Sequence, residues 1–245
     1  MRRIGFSTGA LAKGDFKKGM QLQELHGSAN SLELSALREE ELSTLLKELP
    51  SLDLSKYDYV SIHAPSSRVH LSETQLVDKL AELAKRVRNL IVHPDVIQTP
   101  SIWKRIEDEI VLENMDQRKP IARNAAEMKK FFDALPNARF CFDIGHARQV
   151  DPTMSIAVEL LLAFADRLAE IHISEVDASS KHVPISSTAM RSFQKIASLI
   201  PNDVPVIVES TVAPEAISEE IDMALASLCV HNFGPKHALI NGGCP

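Results

Sequence analysis

Cysteine is scarce in this chain. Cys141, Cys229 and Cys244 are the only three in 245 residues, too few and too scattered for a disulfide framework or a cysteine-ligated zinc site, so a reducing cytoplasm is the expected compartment. Long apolar runs are missing as well. No stretch approaches the roughly 18 residues of a membrane span, and no signal-peptide core follows Met1-Arg2-Arg3-Ile4-Gly5-Phe6. A membrane is therefore not an expected partner, and the two arginines read as the solvated lead into a first strand. Neither a P-loop nor a dinucleotide fingerprint occurs, which removes the motifs that would imply a nucleotide cofactor. Basic residues are not in excess: 27 Lys and Arg against 33 Asp and Glu leave a net charge of −6, which argues against a duplex nucleic acid as partner while allowing a local basic patch. No low-complexity linker or composition break divides the chain, so 1–245 reads as a single domain, at a length α/β barrels routinely occupy. A homo-oligomer stays open.

What the chain does have is an ordinary globular composition, 44% hydrophobic and 24% charged, and a regular alternation of patterns. Strand-like runs start near Ile4, Ser31, Tyr59, Leu90, Ile110, Arg139, Leu168 and Val204, mostly about 30 residues apart, the length of a βα unit. Between them the apolar residues recur with helical spacing: Leu22-Leu25, Leu42-Leu45-Leu46-Leu49, Leu76-Leu80-Leu83-Ala84-Val87, Met128-Phe131-Phe132-Leu135, Ile156-Leu160-Ala163-Phe164, Phe193-Ile196-Ala197-Ile200 and Ile217-Ile221-Ala224-Leu228. Ser72 with Gln75 has the form of a helix-capping pair, and a short helix is expected from Pro100 to about Glu107 around Trp103. Eight alternating units predict a parallel sheet closed into a (β/α)8 barrel.

Parity along the strands then sorts the polar residues. Side chains alternate across a strand, so His63, His93, Glu113, Asp143, His172 and Glu209 fall on one face, while pairs such as Val60 and Ile62, Phe140 and Phe142, or Val206 and Val208 fall on the other. The apolar face is expected against the helices and the polar one inside the barrel at its C-terminal rim, where barrel active sites sit. Phe142-Asp143-Ile144-Gly145-His146 is the densest of these strand ends, with a glycine that lets the backbone turn or approach a ligand closely. One such histidine or glutamate is ordinarily a structural residue. Several at one parity and one strand end would leave buried carboxylates uncompensated without a cation. The set is mixed nitrogen and oxygen, suited to Zn²⁺, Mn²⁺, Co²⁺ or Fe²⁺ and poorly suited to Ca²⁺. His26, His70, His231 and His237 lie in helical or loop contexts and read as surface residues.

A family resemblance rests on seven strings taken in order: Ser61-Ile62-His63-Ala64-Pro65, Leu90-Ile91-Val92-His93-Pro94, Val111-Leu112-Glu113-Asn114, Phe142-Asp143-Ile144-Gly145-His146-Ala147, Ile171-His172-Ile173-Ser174, His182-Val183-Pro184-Ile185 and Val206-Ile207-Val208-Glu209-Ser210. Across nearly the whole chain they resemble the xylose isomerase-like TIM-barrel superfamily, which contains sugar isomerases and epimerases, inosose dehydratase-like enzymes and endonuclease IV-type apurinic-site nucleases. The resemblance implies Glu113, Asp143, His172 and Glu209 as the metal ligands of a ketose epimerase, with Glu113 and Glu209 also catalytic, moving a proton through an enediolate. The endonuclease IV pattern would add His63 and His93 on a second metal bridged by Glu113, and His146 and His182 on a third. Ser180 stands where that pattern has an aspartate, Asp177 is the nearest replacement, and the His172–His182 segment is short for such a nuclease. Glu33, which resembles the strand-two glutamate of the superfamily, is a candidate substrate contact together with His63, His146 and His182. Lys181 and Arg148 are candidate contacts for an anionic substrate, each read equally as a solvated loop charge.

The expectation is therefore a cytoplasmic, divalent-metal-dependent isomerase or epimerase of a sugar or sugar phosphate, with a small carbohydrate as partner. Two alternatives are a metal-dependent phosphodiester hydrolase of the endonuclease IV type and a barrel that binds a metal or small molecule without turnover.

Overall fold

The computed structural model describes residues 2–25 and 29–229. The chain runs β1 (Ile4–Ser7), α1 (Thr8–Ala12), α2 (Phe16–Glu24), β2 (Ser31–Ser35), α3 (Glu39–Glu48), β3 (Tyr59–His63), α4 (Glu73–Ala84), β4 (Leu90–Val92), α5 (Pro100–Trp103), β5 (Ile110–Glu113), α6 (Ala125–Ala134), β6 (Arg139–Asp143), α7 (Ile144–Val150), α8 (Ser155–Ala163), β7 (Leu168–Ile173), the hairpin strands β8 (Glu175–Val176) and β9 (His182–Val183), α9 (Ser187–Gln194), β10 (Val206–Val208) and α10 (Ile217–Ser227). Eight of the strands, β1 to β7 and β10, pair in parallel and close into a (β/α)8 barrel, with β10 joining back onto β1. Helical segments separate consecutive barrel strands, as the sequence periodicity predicts.

Seven strand starts coincide with the expected positions. The eighth comes two residues later because Val204 N–H closes a turn on Pro201 O and Pro205 has no N–H to give a ladder; pairing starts at Val206, which donates to Arg3 O. Strands β1 and β2 approach so closely that a Cβ on Gly5 would lie 1.7 Å from Ser31 O. Gln23 of α2 tightens the same pair: its Oε1 accepts from Phe6 N–H and its Nε2 donates to Ser31 O. This polar role explains why the Leu22-Leu25 face predicted for that helix is only half right: Leu22 is partly buried against the core. The buried face is Phe16, Gly19, Met20 and Gln23, and Leu25 is 79% exposed. In α8 the buried residues are Ala157, Leu160 and Leu161; Ile156 is only partly buried and Ala163 is exposed. A segment that is apolar almost all round carries no periodic signal to choose its face.

The main core lies between sheet and helices, where Phe6, Leu34, Ile62, Val92, Leu112, Phe140, Phe142, Ile171 and Val208 meet the helical leucines and phenylalanines. Inside the barrel the apolar plug is small, with Ile91, Val111 and Cys141 as its members. The rest of that interior is polar. Of the histidines expected at the surface, His70 is exposed; His26, His231 and His237 lie outside the described residues, as does Cys244. No helix among the described residues is long and apolar enough to cross a membrane.

Buried glutamates at the starts of helices tie neighbouring rim loops in place. Glu39 of α3 accepts the backbone N–H groups of Val69, His70 and Leu71, Glu73 of α4 accepts those of Gln98 and Thr99 and the indole N–H of Trp103, and Glu220 of α10 accepts that of Ile185. For Glu73 burial is the largest influence and would raise its pKa, but these hydrogen bonds outweigh it and hold the group below its ordinary value. The stabilisation is thus full above about pH 4.5, the unfolded value, and is lost as pH falls through the depressed folded value. Glu73→Ala, which strands three donors, is expected to cost about 3 kcal/mol, read from urea unfolding by fluorescence of Trp103, the chain's single tryptophan; a loss below about 0.5 kcal/mol would show the clamp to be dispensable.

Candidate metal centre and cavity

Six of the eight barrel strands deliver a histidine or carboxylate residue at or near their C-terminal ends. Glu113 closes β5, His63 closes β3 and Asp143 closes β6, His172 is next to last in β7, and His93 and Glu209 follow β4 and β10 directly. The interior parity predicted from the sequence therefore places these six side chains together. Glu113 is their hub, with 1% exposure. Its Oε2 lies 3.3 Å from His63 Nε2, 3.2 Å from His93 Nε2 and 3.8 Å from His172 Nδ1, and its Oε1 lies 3.2 Å from His146 Nδ1.

Supporting contacts orient the donors. His63 Nδ1 sits 2.7 Å from Ala64 O, so its proton belongs there and Nε2 faces Glu113. Asp143 exchanges two hydrogen bonds with Asn114, through Asp143 N–H to Asn114 Oδ1 and Asn114 Nδ2 to Asp143 O. Its Oδ1 accepts His146 N–H and caps α7, while Oδ2 is buried without a hydrogen bond. Gly145 serves a close approach: a Cβ there would be 2.5 Å from Ser174 O, so α7 packs directly on the end of β7. Glu209 Oε2 is 3.4 Å from His172 Nδ1 and 3.5 Å from His182 Nδ1, and His182 in turn is 2.8 Å from Ser174 Oγ.

Donor atoms mutually within 4.8 Å fall into four groups: Glu113, Asp143, His172 and Glu209; His63, His93 and Glu113; Asp143, His146 and His182; and Glu33, Glu170 and His172. The first unites four donors and includes two buried atoms without hydrogen bonds, Asp143 Oδ2 and His172 Nδ1. A nitrogen-and-oxygen set that includes buried donors without hydrogen bonds fits a divalent cation of the Zn²⁺ or Mn²⁺ kind.

The electrostatics agree. Burial is the largest influence on each of these groups. It raises Asp143 to about 8. For His63 and His146 burial works downward but is outweighed: the hydrogen bond to Glu113 and the surrounding carboxylates raise His63 to about 9, and Asp143 and Glu113 raise His146 to about 10. Glu113 and Glu209 are depressed, because the imidazoles overcome the burial that would raise them.

Above the group lies a cavity of about 1040 Å³ whose walls include His63, His93, Glu113, His146, His182 and Glu209. Glu33 does not reach it. It is fully buried beneath, with Oε2 3.2 Å from His172 Nε2, although neither of its oxygens makes an aligned hydrogen bond. Lys181 lines the cavity, whereas Arg148 is paired with Glu175 at 3.1 Å. Lys13, Arg118 and Lys119 also line it. Arg118 and Lys119 are held by Asp116 and Asp95; Lys13 and Lys181 form no ion pair among the described residues. Asp177 does not replace the aspartate missing at Ser180: its Oδ1 accepts Ser179 N–H, Ser179 Oγ–H and Lys181 N–H in the turn of the β8–β9 hairpin. Parity places Glu170 on the same inward face as His172 but assigns it no role; it is fully buried against that histidine.

The chain is thus a (β/α)8 barrel whose strand ends carry side-chain groups that could hold a metal ion. No protein-family profile and no curated protein sequence matches the chain. Solved structures do. A Mycobacterium smegmatis xylose isomerase-like TIM barrel in complex with magnesium is 14% identical with a TM-score of 0.54, covering 94% of this chain and 98% of its own. The IolI protein with a bound zinc atom is 14% identical at 0.62, covering 93% and 98%, and endonuclease IV from Thermus thermophilus is 18% identical at 0.54, covering 92% and 98%. The chain shares the (β/α)8 fold of these structures.

Cation uptake requires deprotonated donors. His63 and His146, with pKa values raised to about 9 and 10, carry protons at pH 7 in the metal-free protein. Adding Zn²⁺ at pH 7 is expected to release at least one proton per ion and to bind more tightly as pH rises toward 8. Calorimetry in buffers of different ionisation enthalpy reads both; uptake without proton release would contradict these charge states.

Proposed function

We propose that the protein is a divalent-metal-dependent isomerase of small phosphorylated sugars, in which Glu209 moves the carbon-bound proton and Lys13 and Lys181 receive the phosphate. The observation that carries this reading is the unequal placement of the two glutamates. Both line the cavity, but the Glu209 side chain is 13% exposed, while that of Glu113 is 1% exposed and ringed by four imidazoles.

Glu113, Asp143, His172 and Glu209 would hold the cation, which when bound supplies Lewis-acid polarisation of a substrate carbonyl and its neighbouring hydroxyl. Glu209, ionised because His172 and His182 offset its burial, accepts the proton from the carbon beside the carbonyl and returns it to the former carbonyl carbon. A 1,2-shift of this kind needs one base on one face of the sugar. Inverting a stereocentre needs a base on each face, and Glu113 is too enclosed to be the second, so the geometry favours aldose–ketose isomerisation over epimerisation. The cavity volume, just above the usual range of about 300–1000 Å³ for small-molecule sites, suits such a substrate, and the two lysines, neither in direct contact with a carboxylate, supply the charge a phosphate needs.

A second reading, a phosphodiester hydrolase, is favoured by one observation. Glu113 and Asp143 each belong to two ligand groups, an arrangement suited to neighbouring metals acting on a phosphoryl group. Ser180 in place of an aspartate weighs against it.

Incubating the metal-loaded protein with a panel of aldose and ketose phosphates in D₂O should place deuterium beside the carbonyl, and Glu209→Gln should lower that exchange by about 100-fold or more. No exchange, together with metal-dependent cleavage of a phosphodiester, would replace the isomerase reading by the hydrolase one. Lys181→Ala is expected to raise KM for a phosphorylated substrate about tenfold, the equivalent of about 1.4 kcal/mol, with little change in kcat; an unchanged KM would remove Lys181 from phosphate binding.

A further inference from the structure

Below the ligand group, on the barrel axis, lies a buried polar cluster that the proposed reaction does not use. Glu170 is fully buried, and three groups hold its carboxylate. Tyr59 Oη donates to Oε2 at 2.6 Å, Ser61 Oγ donates to Oε1 at 3.0 Å, and His172 Nε2 lies 3.1 Å from Oε1. The register of β6 and β7 produces this alignment. It shifts between Phe140 and Cys141, after which Cys141 pairs with Glu170 and Asp143 with His172, so both β7 side chains point to the axis, one layer apart.

His172 can ligate a cation through only one nitrogen at a time unless it loses both protons. The nitrogen facing the first ligand group is Nδ1, 3.4 Å from Glu209 Oε2 and 3.8 Å from Glu113 Oε2 and without a hydrogen bond. The tautomer of an imidazole is set by the partner of its other nitrogen, and a carboxylate in that place both fixes the ring and makes it a better ligand. Two carboxylates approach Nε2, but their geometry differs. Glu33 Oε2 at 3.2 Å makes no aligned hydrogen bond, whereas Glu170 does, and it is itself held by two hydroxyls of β3.

We propose that Glu170, cradled by Tyr59 and Ser61, is a positioning residue that keeps the proton of His172 on Nε2 and so keeps the Nδ1 lone pair directed at Glu113, Asp143 and Glu209. This rests on the reading that those residues hold a divalent cation. Glu170 touches no cavity wall and takes no part in proton transfer to substrate.

The test is zinc affinity, measured by competition with a chelating dye, in the wild type, Glu170→Met and Glu170→Gln. Methionine keeps the volume but cannot accept from Nε2–H; glutamine can. The methionine variant is expected to bind zinc 10- to 100-fold more weakly and glutamine to restore most of the loss, a rescue that a purely space-filling role would not show. Long-range proton–nitrogen NMR of the zinc-loaded wild type should find His172 bound through Nδ1 and protonated on Nε2. If the wild type takes up zinc and the methionine variant matches it, the positioning role is wrong while the metal reading stands; if the wild type takes up none, both fail. Should the methionine variant not fold, the wild-type spectrum decides, since coordination through Nε2 would overturn the proposal by itself.

Discussion

Four carboxylates, those of Glu33, Glu113, Asp143 and Glu170, are withdrawn from water inside the barrel at exposures of 0 to 1%, and a fifth, Glu209, stands at the cavity wall. Burying ionised carboxylates is costly unless they are paired, protonated or metal-bound. Here the compensation comes from His63 and His146, whose pKa values the surrounding carboxylates hold above the ordinary imidazole range against the effect of burial, and from His172, raised against the same burial by Cys141 and then by Glu209 and Glu33. Burial pushes Asp143 upward as well, and the neighbouring His146 offsets part of that rise. The donor set of a cation and the charge balance of the barrel interior are thus one arrangement, in which a divalent ion would take the place of protons.

The rest of the fold makes that arrangement possible. The outer faces of the strands carry the apolar core against the helices, which frees the inner faces for polar residues, and the inner apolar plug shrinks to Ile91, Val111 and Cys141. Positions at the rim are held by groups that have no chemistry of their own. Asn114 binds Asp143 through both its backbone N–H and C=O, Ser174 orients His182, and Glu39, Glu73 and Glu220 tie the loops around the cavity.

Period-two alternation makes the barrel and the inward face of its strands legible, because a residue at even spacing from a strand-end histidine must share its face. The seven family strings point to the same residues. Where local pattern fails, a long-range contact is responsible. Gln23 occupies a buried helix face because it satisfies two strands distant in sequence. Asp177 has the chemistry of a spare ligand and is consumed by a hairpin turn. Arg148 has the charge to meet an anion and is committed to Glu175. Glu33 shares the inward parity expected of a substrate contact, yet depth along the barrel axis, which parity does not encode, leaves it beneath His172. The role of Glu170 is hidden by the same ambiguity of depth.

The central claim is that Glu113, Asp143, His172 and Glu209 form the primary cation site. Diffraction at the zinc or manganese absorption edge from crystals grown with that ion tests it most directly. The account predicts an anomalous peak in contact with all four side chains, about 2.0–2.2 Å from His172 Nδ1 and the carboxylate oxygens; further peaks at His63 and His93 or at His146 and His182 are compatible with it. A fully loaded crystal with no peak among those four, or with density only between Glu33, Glu170 and His172 Nε2, would contradict it.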